Sequence, residues 1–187
     1  MEKKLVVVFP GVGYHSDKPL LYYTKKIAKN YDYEIREVKY DIAEFKSSRE
    51  FDAKKAMAAL DAAFLQVDKT LKDINFEQYD RVIFVGKSIG TALMAKYAMT
   101  YEIDAEMIVY TPIPETFAFL GACEGLIFHG SADPLCDTEM LEQLCDQMSL
   151  TYAIIPNANH SLETGDVVED IRNLSRVMQA VDRIFKL

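Results

Sequence analysis

The chain has 187 residues, 50% of them hydrophobic and 27% charged, which suits one domain able to bury roughly 70% of its unfolded surface without a metal or disulfide staple. Lys and Arg number 21 against 29 Asp and Glu, and the net charge of -8 opposes attraction to nucleic acid or to an anionic membrane, so neither partner is expected. Gly and Pro are sparse and no internal repeat is present, which excludes disordered and low-complexity classes.

Leu5 to Phe9 is an all-apolar run that stops at Pro10-Gly11 and reads as a central parallel strand. Lys3-Lys4 ahead of it gives the outline of a signal peptide, but five apolar residues are too few for such a core, and no run is long enough to span a membrane. A cytoplasmic protein is expected. A helix is predicted from about Lys18 to Asn30, with Leu20, Leu21, Tyr23, Thr24, Ile27 and Ala28 on its buried side. Tyr33 to Tyr40 has no clean alternation, yet its aromatic and β-branched content predicts a strand at a sheet edge. From about Phe51 to Ile74 the spacing of Ala56, Leu60, Ala63, Phe64, Val67, Leu71 and Ile74 predicts a helix, with Asp61, Asp68 and Lys72 turned outward.

Residues 81–91 then read as a buried strand, a sharp turn and the start of a helix. Val82 to Val85 is a continuous apolar run of the kind a strand buried on both faces requires, and Thr91 to Ala95 continues with helix formers. Between them lies Gly86-x-Ser88-x-Gly90, the pattern of a nucleophile elbow, in which a strained turn lifts a serine hydroxyl above the sheet edge. The two glycines keep side chains out of the strand–helix crossing, and the pattern leaves Lys87 and Ile89 free to vary.

Two nucleotide-binding readings of these loops fail. Gly86-Lys87-Ser88 resembles the end of a phosphate-binding P-loop, but Arg81 stands where its first glycine belongs. Gly11-x-Gly13 resembles a dinucleotide fingerprint, but Ser16 occupies the place of the third glycine.

Beyond the elbow, Met107 to Tyr110 forms a strand that stops at Thr111-Pro112-Ile113-Pro114. A brief apolar segment, Phe117 to Leu120, leaves no room for a large lid. Gly125 to Phe128 is a further strand, running into His129-Gly130-Ser131-Ala132-Asp133-Pro134. A helix from about Thr138 to Met148 turns Met140, Leu141, Leu144, Cys145 and Met148 inward. Thr151 to Pro156 is the last strand, ending at Asn157-Ala158-Asn159-His160. The closing helix, capped by Asp166, is predicted to bury Val167, Ile171, Leu174, Met178, Val181 and Ile184. Strands and helices therefore alternate through residues 1–187. The predicted fold is a single α/β domain, a three-layer α/β/α sandwich around a mostly parallel sheet of about six strands.

In such sheets ligands bind beyond the carboxyl ends of the strands, where Ser88, Asp133 and His160 all fall. A serine needs a base to remove its proton, and the base needs a carboxylate to fix its tautomer. Ser88 as nucleophile, His160 as base and Asp133 as its acid follow one another in the order expected for this architecture. The oxyanion would be met by the backbone N–H of Ile89, directly after the nucleophile. A second donor would come from the Gly11-Val12-Gly13 loop, with Val12 the single best candidate. Each residue also has an ordinary reading. Ser88 can cap a helix, Asp133 can cap the next helix with Asp137 as the acid instead, and His160 can be a surface residue. His129 reads as a packing residue. Gly11, Gly13, Tyr14 and His15 are candidates to line the pocket; Tyr14, His15 and Asp17 can equally form a turn with a helix cap at Asp17. Three histidines without ligand spacing predict no metal site, no cofactor is expected, and Cys123, Cys136 and Cys145 read as reduced thiols.

Gly86-Lys87-Ser88-Ile89-Gly90, His129-Gly130-x-x-Asp133 and the Asn159-His160-Ser161 loop together resemble the α/β-hydrolase superfamily, especially its small lidless members similar to dienelactone hydrolases and short carboxylesterases. The resemblance spans essentially the full chain. It implies a Ser-His-Asp hydrolase in which Ser88 is nucleophile, His160 general base and then acid, and Asp133 its orienting carboxylate; the expected substrate is an ester or thioester of a small acyl group, or a lactone. The chain departs from the superfamily's usual pattern in three ways: the two leading antiparallel strands are not evident, Gly11-Val12-Gly13-Tyr14 replaces the His-Gly-Gly type of oxyanion loop, and no cap domain is expected. The same fold and triad also serve peptidases, amidases and carbon–carbon hydrolases, and a non-catalytic binding module is a third reading. A small-molecule substrate is the expected partner, and the sequence leaves a homodimer open.

Overall fold

The computed structural model describes residues 2–41, 53–121 and 124–187. Six strands carry the fold: β1 Lys4–Phe9, β2 Glu34–Glu37, β3 Arg81–Ser88, β4 Glu106–Pro112, β5 Gly125–Gly130 and β6 Tyr152–Ile155. Five helices alternate with them: α1 Pro19–Asn30, α2 Ala53–Leu71, α3 Ile89–Tyr101, α4 Thr138–Gln147 and α5 Val167–Lys186. Every strand pair is parallel and the order is β2-β1-β3-β4-β5-β6.

The all-apolar strands form because they are buried on both faces. Leu5, Val7 and Phe9 of β1, with Val82 and Phe84 of β3, face one core, which α2, α3 and α4 cover with Leu60, Leu93 and Leu141. Val6, Val8, Ile83 and Val85 face the other, which α1 and α5 cover with Leu21, Val181 and Phe185. A side chain as fully enclosed as Phe84 contributes about 2 kcal/mol of transfer free energy. At the start of the sheet, the Arg81 guanidinium donates to both carboxylate oxygens of Glu106 at 2.5 and 2.8 Å and to the Ile184 carbonyl at 2.6 Å. These bonds tie β3 and β4 to α5.

Chain order reverses direction between β1 and β3: β2 lies outside β1, and β4, β5 and β6 follow on the other side. The loops after β1 and β3 therefore diverge to opposite faces, opening the crevice in which doubly wound sheets bind ligands.

Several expected burials differ. Tyr23 of α1 is exposed, whereas Leu20, Leu21, Thr24 and Ala28 are buried. In α5 the buried stripe runs through Val177, Val181 and Phe185, while Val167 and Ile171 are exposed, because the first turns of the helix extend beyond the core that covers the rest. The start of the helix expected over 51–74, including the Ala56 side chain, and Cys123 lie outside the described residues. Cys136 and Cys145 are buried free thiols. Among the described residues no helix is long and apolar enough to cross a membrane, and no group of three or more His, Cys, Asp or Glu could hold a metal ion.

Candidate active site

β3 ends at Ser88, whose backbone stands at φ 56° and ψ -125°, a conformation that costs a non-glycine residue about 1–3 kcal/mol. The flanking glycines allow it. A Cβ on Gly90 would lie 2.1 Å from the Phe9 carbonyl oxygen, and one on Gly86 would lie 2.7 Å from Met94 Sδ and 2.8 Å from Thr91 Cα. The Thr91 hydroxyl donates to the Ser88 carbonyl at 2.6 Å and, its proton thus used, accepts from Thr116 Oγ1 at 2.7 Å. Opposite the turn, β4 bulges: Lys87 pairs with Tyr110 and Ser88 with Pro112, and the skipped Thr111 has φ 42°.

Ser88 does not use its hydroxyl as a helix cap. Its Oγ lies 2.8 Å from His160 Nε2, and His160 Nδ1 lies 2.7 Å from Asp133 Oδ2. A carboxylate only accepts, so Nδ1 carries the proton and Nε2 presents its lone pair to the serine. Asp133 Oδ1 accepts from the Leu135 N–H at 2.9 Å, while the neighbouring Asp137 caps α4 by accepting from the Met140 N–H. The two acids weighed on sequence grounds thus have different partners: Asp133 faces His160, and Asp137 holds a helix.

Burial pushes the His160 pKa down, the Asp133 hydrogen bond opposes this, and the Lys87 ammonium pushes it down further; the net result lies below 6.5. The imidazole is therefore neutral at neutral pH. Burial would raise the Asp133 carboxyl, but hydrogen bonds from His160 and the Leu135 N–H outweigh it and hold the group below its ordinary value. His129 is buried with Nε2 3.0 Å from Thr138 Oγ1, and its unpartnered Nδ1 lies 3.8 Å from Asp133 Oδ2.

No protein-family model matches the sequence, and no curated protein matches it. Solved structures do match. A protein from Xanthomonas campestris pv. campestris assigned to the alpha/beta hydrolase superfamily superposes with a TM-score of 0.69 at 12% identity, over 98% of this chain and 99% of that one. Est1E from Butyrivibrio proteoclasticus gives 0.67 at 15% identity, over 98% and 87%. A lidless alpha/beta serine hydrolase from Xanthomonas campestris gives 0.61 at 15% identity, over 98% and 81%.

The chain has the α/β-hydrolase fold.

Within that fold the described residues include no cap domain, and all six strands are parallel. The loop after β1 is a tight turn in which Gly11 and Tyr14 exchange backbone hydrogen bonds at 3.1 and 3.2 Å, leaving the N–H groups of Val12 and Gly13 outside that pairing. A Cβ on Gly11 would lie 3.2 Å from Ser88 Cβ, so the turn rests against the serine. Ile89 opens α3, where the first N–H groups have no intrahelical acceptor. Tyr14 is buried, and its Oη accepts from the Leu20 N–H at 3.2 Å in the first turn of α1. The residue before α1 is Lys18, so of the two readings of this stretch the helix cap at Asp17 is not formed. His15 is exposed, and its Nδ1 accepts from the Asp17 N–H at 3.3 Å.

A cleft of about 530 Å³ opens beside this turn, between Val12, His15, Glu37 and Tyr40. A larger groove of about 1500 Å³, lined by Arg81, Tyr101 and Glu106, lies at the opposite end of the sheet and includes neither Ser88, Asp133 nor His160.

Sequence reasoning missed Thr91, Thr116 and Lys87. Lys87 is not a free position: it is 1% exposed, near the end of β3. The available signal was a second charged residue, besides Arg81 at the strand's start, directly after the apolar run Val82 to Val85 and Gly86.

Proposed function

We propose that this protein is a serine hydrolase that cleaves an ester or thioester of a small acyl group, or a lactone, through an acyl-enzyme on Ser88. The observation that carries the reading is the continuous hydrogen-bonded relay from Ser88 Oγ through His160 to Asp133, at 2.8 and 2.7 Å. His160 Nε2 takes the Ser88 proton as Oγ attacks the substrate carbonyl carbon. The resulting oxyanion is met by the N–H groups of Ile89 and Val12, donors of a kind typically worth about 10²–10³-fold in rate each. Collapse breaks the bond to the leaving oxygen or sulfur, which receives the proton from Nε2. Water, deprotonated in turn by Nε2, releases the acid and restores Ser88.

Ester cleavage is favoured among the chemistries of the fold by what its structural neighbours do: they include the Bacillus cereus carboxylesterase, and Est1E has been solved with ferulic acid bound. A binding module would have no use for a strained Ser88 whose hydroxyl is aimed at an imidazole. The reaction as drawn needs no cofactor and takes a small-molecule substrate. The test is hydrolysis of p-nitrophenyl esters and acyl thioesters of increasing chain length: the wild type turns over the short ones, Ser88→Ala does not, and equal turnover by both would remove the reading.

A further inference from the structure

Lys87 is a buried lysine with no carboxylate paired to it among the described residues. It follows Ile83 and Val85 on the face of β3 that α1 and α5 cover, so its side chain enters the core rather than the crevice. Its Cγ lies 3.4 Å from the point a Gly11 Cβ would occupy, and its Nζ lies 5.1 Å from the centroid of the Tyr14 ring. The stem thus walls the Gly11–Tyr14 turn, and the ammonium sits on the aromatic face of the residue that closes it. Tyr14 is itself fixed at its far end by the Leu20 N–H. The turn that offers the Val12 N–H is therefore held to the strand that carries Ser88 by the side chain next to the serine.

The groups around this ammonium come from three loops. Tyr14, after β1, presents its ring; Asp133, after β5, attracts the charge; and His160, after β6, is repelled by it. Glu163 acts on Tyr14, and His129 acts on Asp133 from behind.

Resting on the serine-hydrolase reading, we propose that Lys87 is a positioning residue for that reaction: its buried ammonium pins the Gly11–Tyr14 turn beside Ser88 and opposes protonation of His160. Burial brings the Lys87 pKa down to about 7, so the lysine still carries its charge in the lower range where His160 takes up a proton. A lysine that merely filled space would be replaced without consequence by Met, which matches its stem and lacks the charge.

The test is an NMR titration of the His160 Cε1–H in wild type and in Lys87→Met, assigned with His160→Gln, together with fluorophosphonate labelling rates. Loss of the neighbouring charge raises the His160 pKa, whereas the Lys87 proton leaves near 7, after His160 has become neutral. Below pH 7, where Lys87 carries its charge, and with each rate divided by the fraction of neutral His160 read from the titration, labelling of Lys87→Met is slower by roughly 10-fold because the turn is no longer pinned. A His160 pKa that does not move in folded Lys87→Met overturns the charge role; equal corrected labelling rates overturn the pinning role. The titrations require no turnover. A wild type that is inert to the probe but shows the pKa shifts defeats the hydrolase reading and leaves the electrostatic coupling standing.

Discussion

His160 Nε2 and Ser88 Oγ lie 2.8 Å apart although 72 positions separate the two residues in the chain. Only the sheet order brings them together: β3 and β6 end on the same side with β4 and β5 between them. Because His160 Nδ1 is committed to Asp133, the imidazole can accept the serine proton only while Nε2 is unprotonated. Its pKa is held below 6.5, so protonation switches the base off only below that value. The labelling rate of Ser88 should rise with pH through one ionisation below 6.5 and fall again as Lys87 loses, near 7, the charge that pins the turn, as a pH series of labelling rates will show. Asp133→Asn keeps the shape but lets Nδ1 lose its proton to the wrong nitrogen, and should cost about 10³–10⁴-fold.

Two glycines should respond in opposite ways to alanine. At Gly90 a Cβ would overlap the Phe9 carbonyl, a backbone group that cannot swing aside, so Gly90→Ala should lose more than about 3 kcal/mol or fail to fold. At Gly13, φ is +72° but nothing lies within 4 Å of the added carbon, so Gly13→Ala should cost only about 1–2 kcal/mol of backbone strain. Urea denaturation of both variants measures the contrast.

Thr91 holds the carbonyl of a strained residue. Thr91→Val removes the bond to the Ser88 carbonyl and leaves the Thr116 hydroxyl without its acceptor, which should cost about 1–3 kcal/mol. The variant should also label more slowly than wild type, since the turn relaxes. Thermal melts and labelling rates measured on the same preparation separate the two effects.

Much of this arrangement could be read before any coordinates. Strands buried on both faces, such as Leu5 to Phe9 and Val82 to Val85, announce themselves as continuous apolar runs, and the residues after them were legible as site residues because loops at strand ends are short. The edge strand β2 was harder: Glu34, Arg36 and Glu37 face water, so only its flanks Tyr33 and Val38 carry a burial signal. Periodicity gave the direction of α5's apolar stripe through Leu174, Met178 and Val181, but not where the surface beneath it stops, hence the exposed Val167 and Ile171. Lys87 escaped because a motif states which positions must be small and says nothing of where its variable side chains point.

Lys87 should also leave a mark on stability. The unfolded chain keeps the lysine proton up to an ordinary value of 10.5, whereas the folded protein releases it near 7. Between those values the unfolded state binds more protons, so folding stability contributed by this group rises with pH across the window. Lys87→Met has no such slope. It should melt higher than wild type by roughly 5 °C or more at about pH 6, and the advantage should shrink by about pH 9. An advantage independent of pH would mean that the ammonium is not buried in solution.

Whether Ser88 is an activated nucleophile is tested, without knowledge of the substrate, by intact mass after treatment with a fluorophosphonate. The wild type should gain one adduct, Ser88→Ala none, and His160→Gln should label far more slowly. A folded wild type that gains no adduct, or a Ser88→Ala variant that gains the same one, contradicts that assignment.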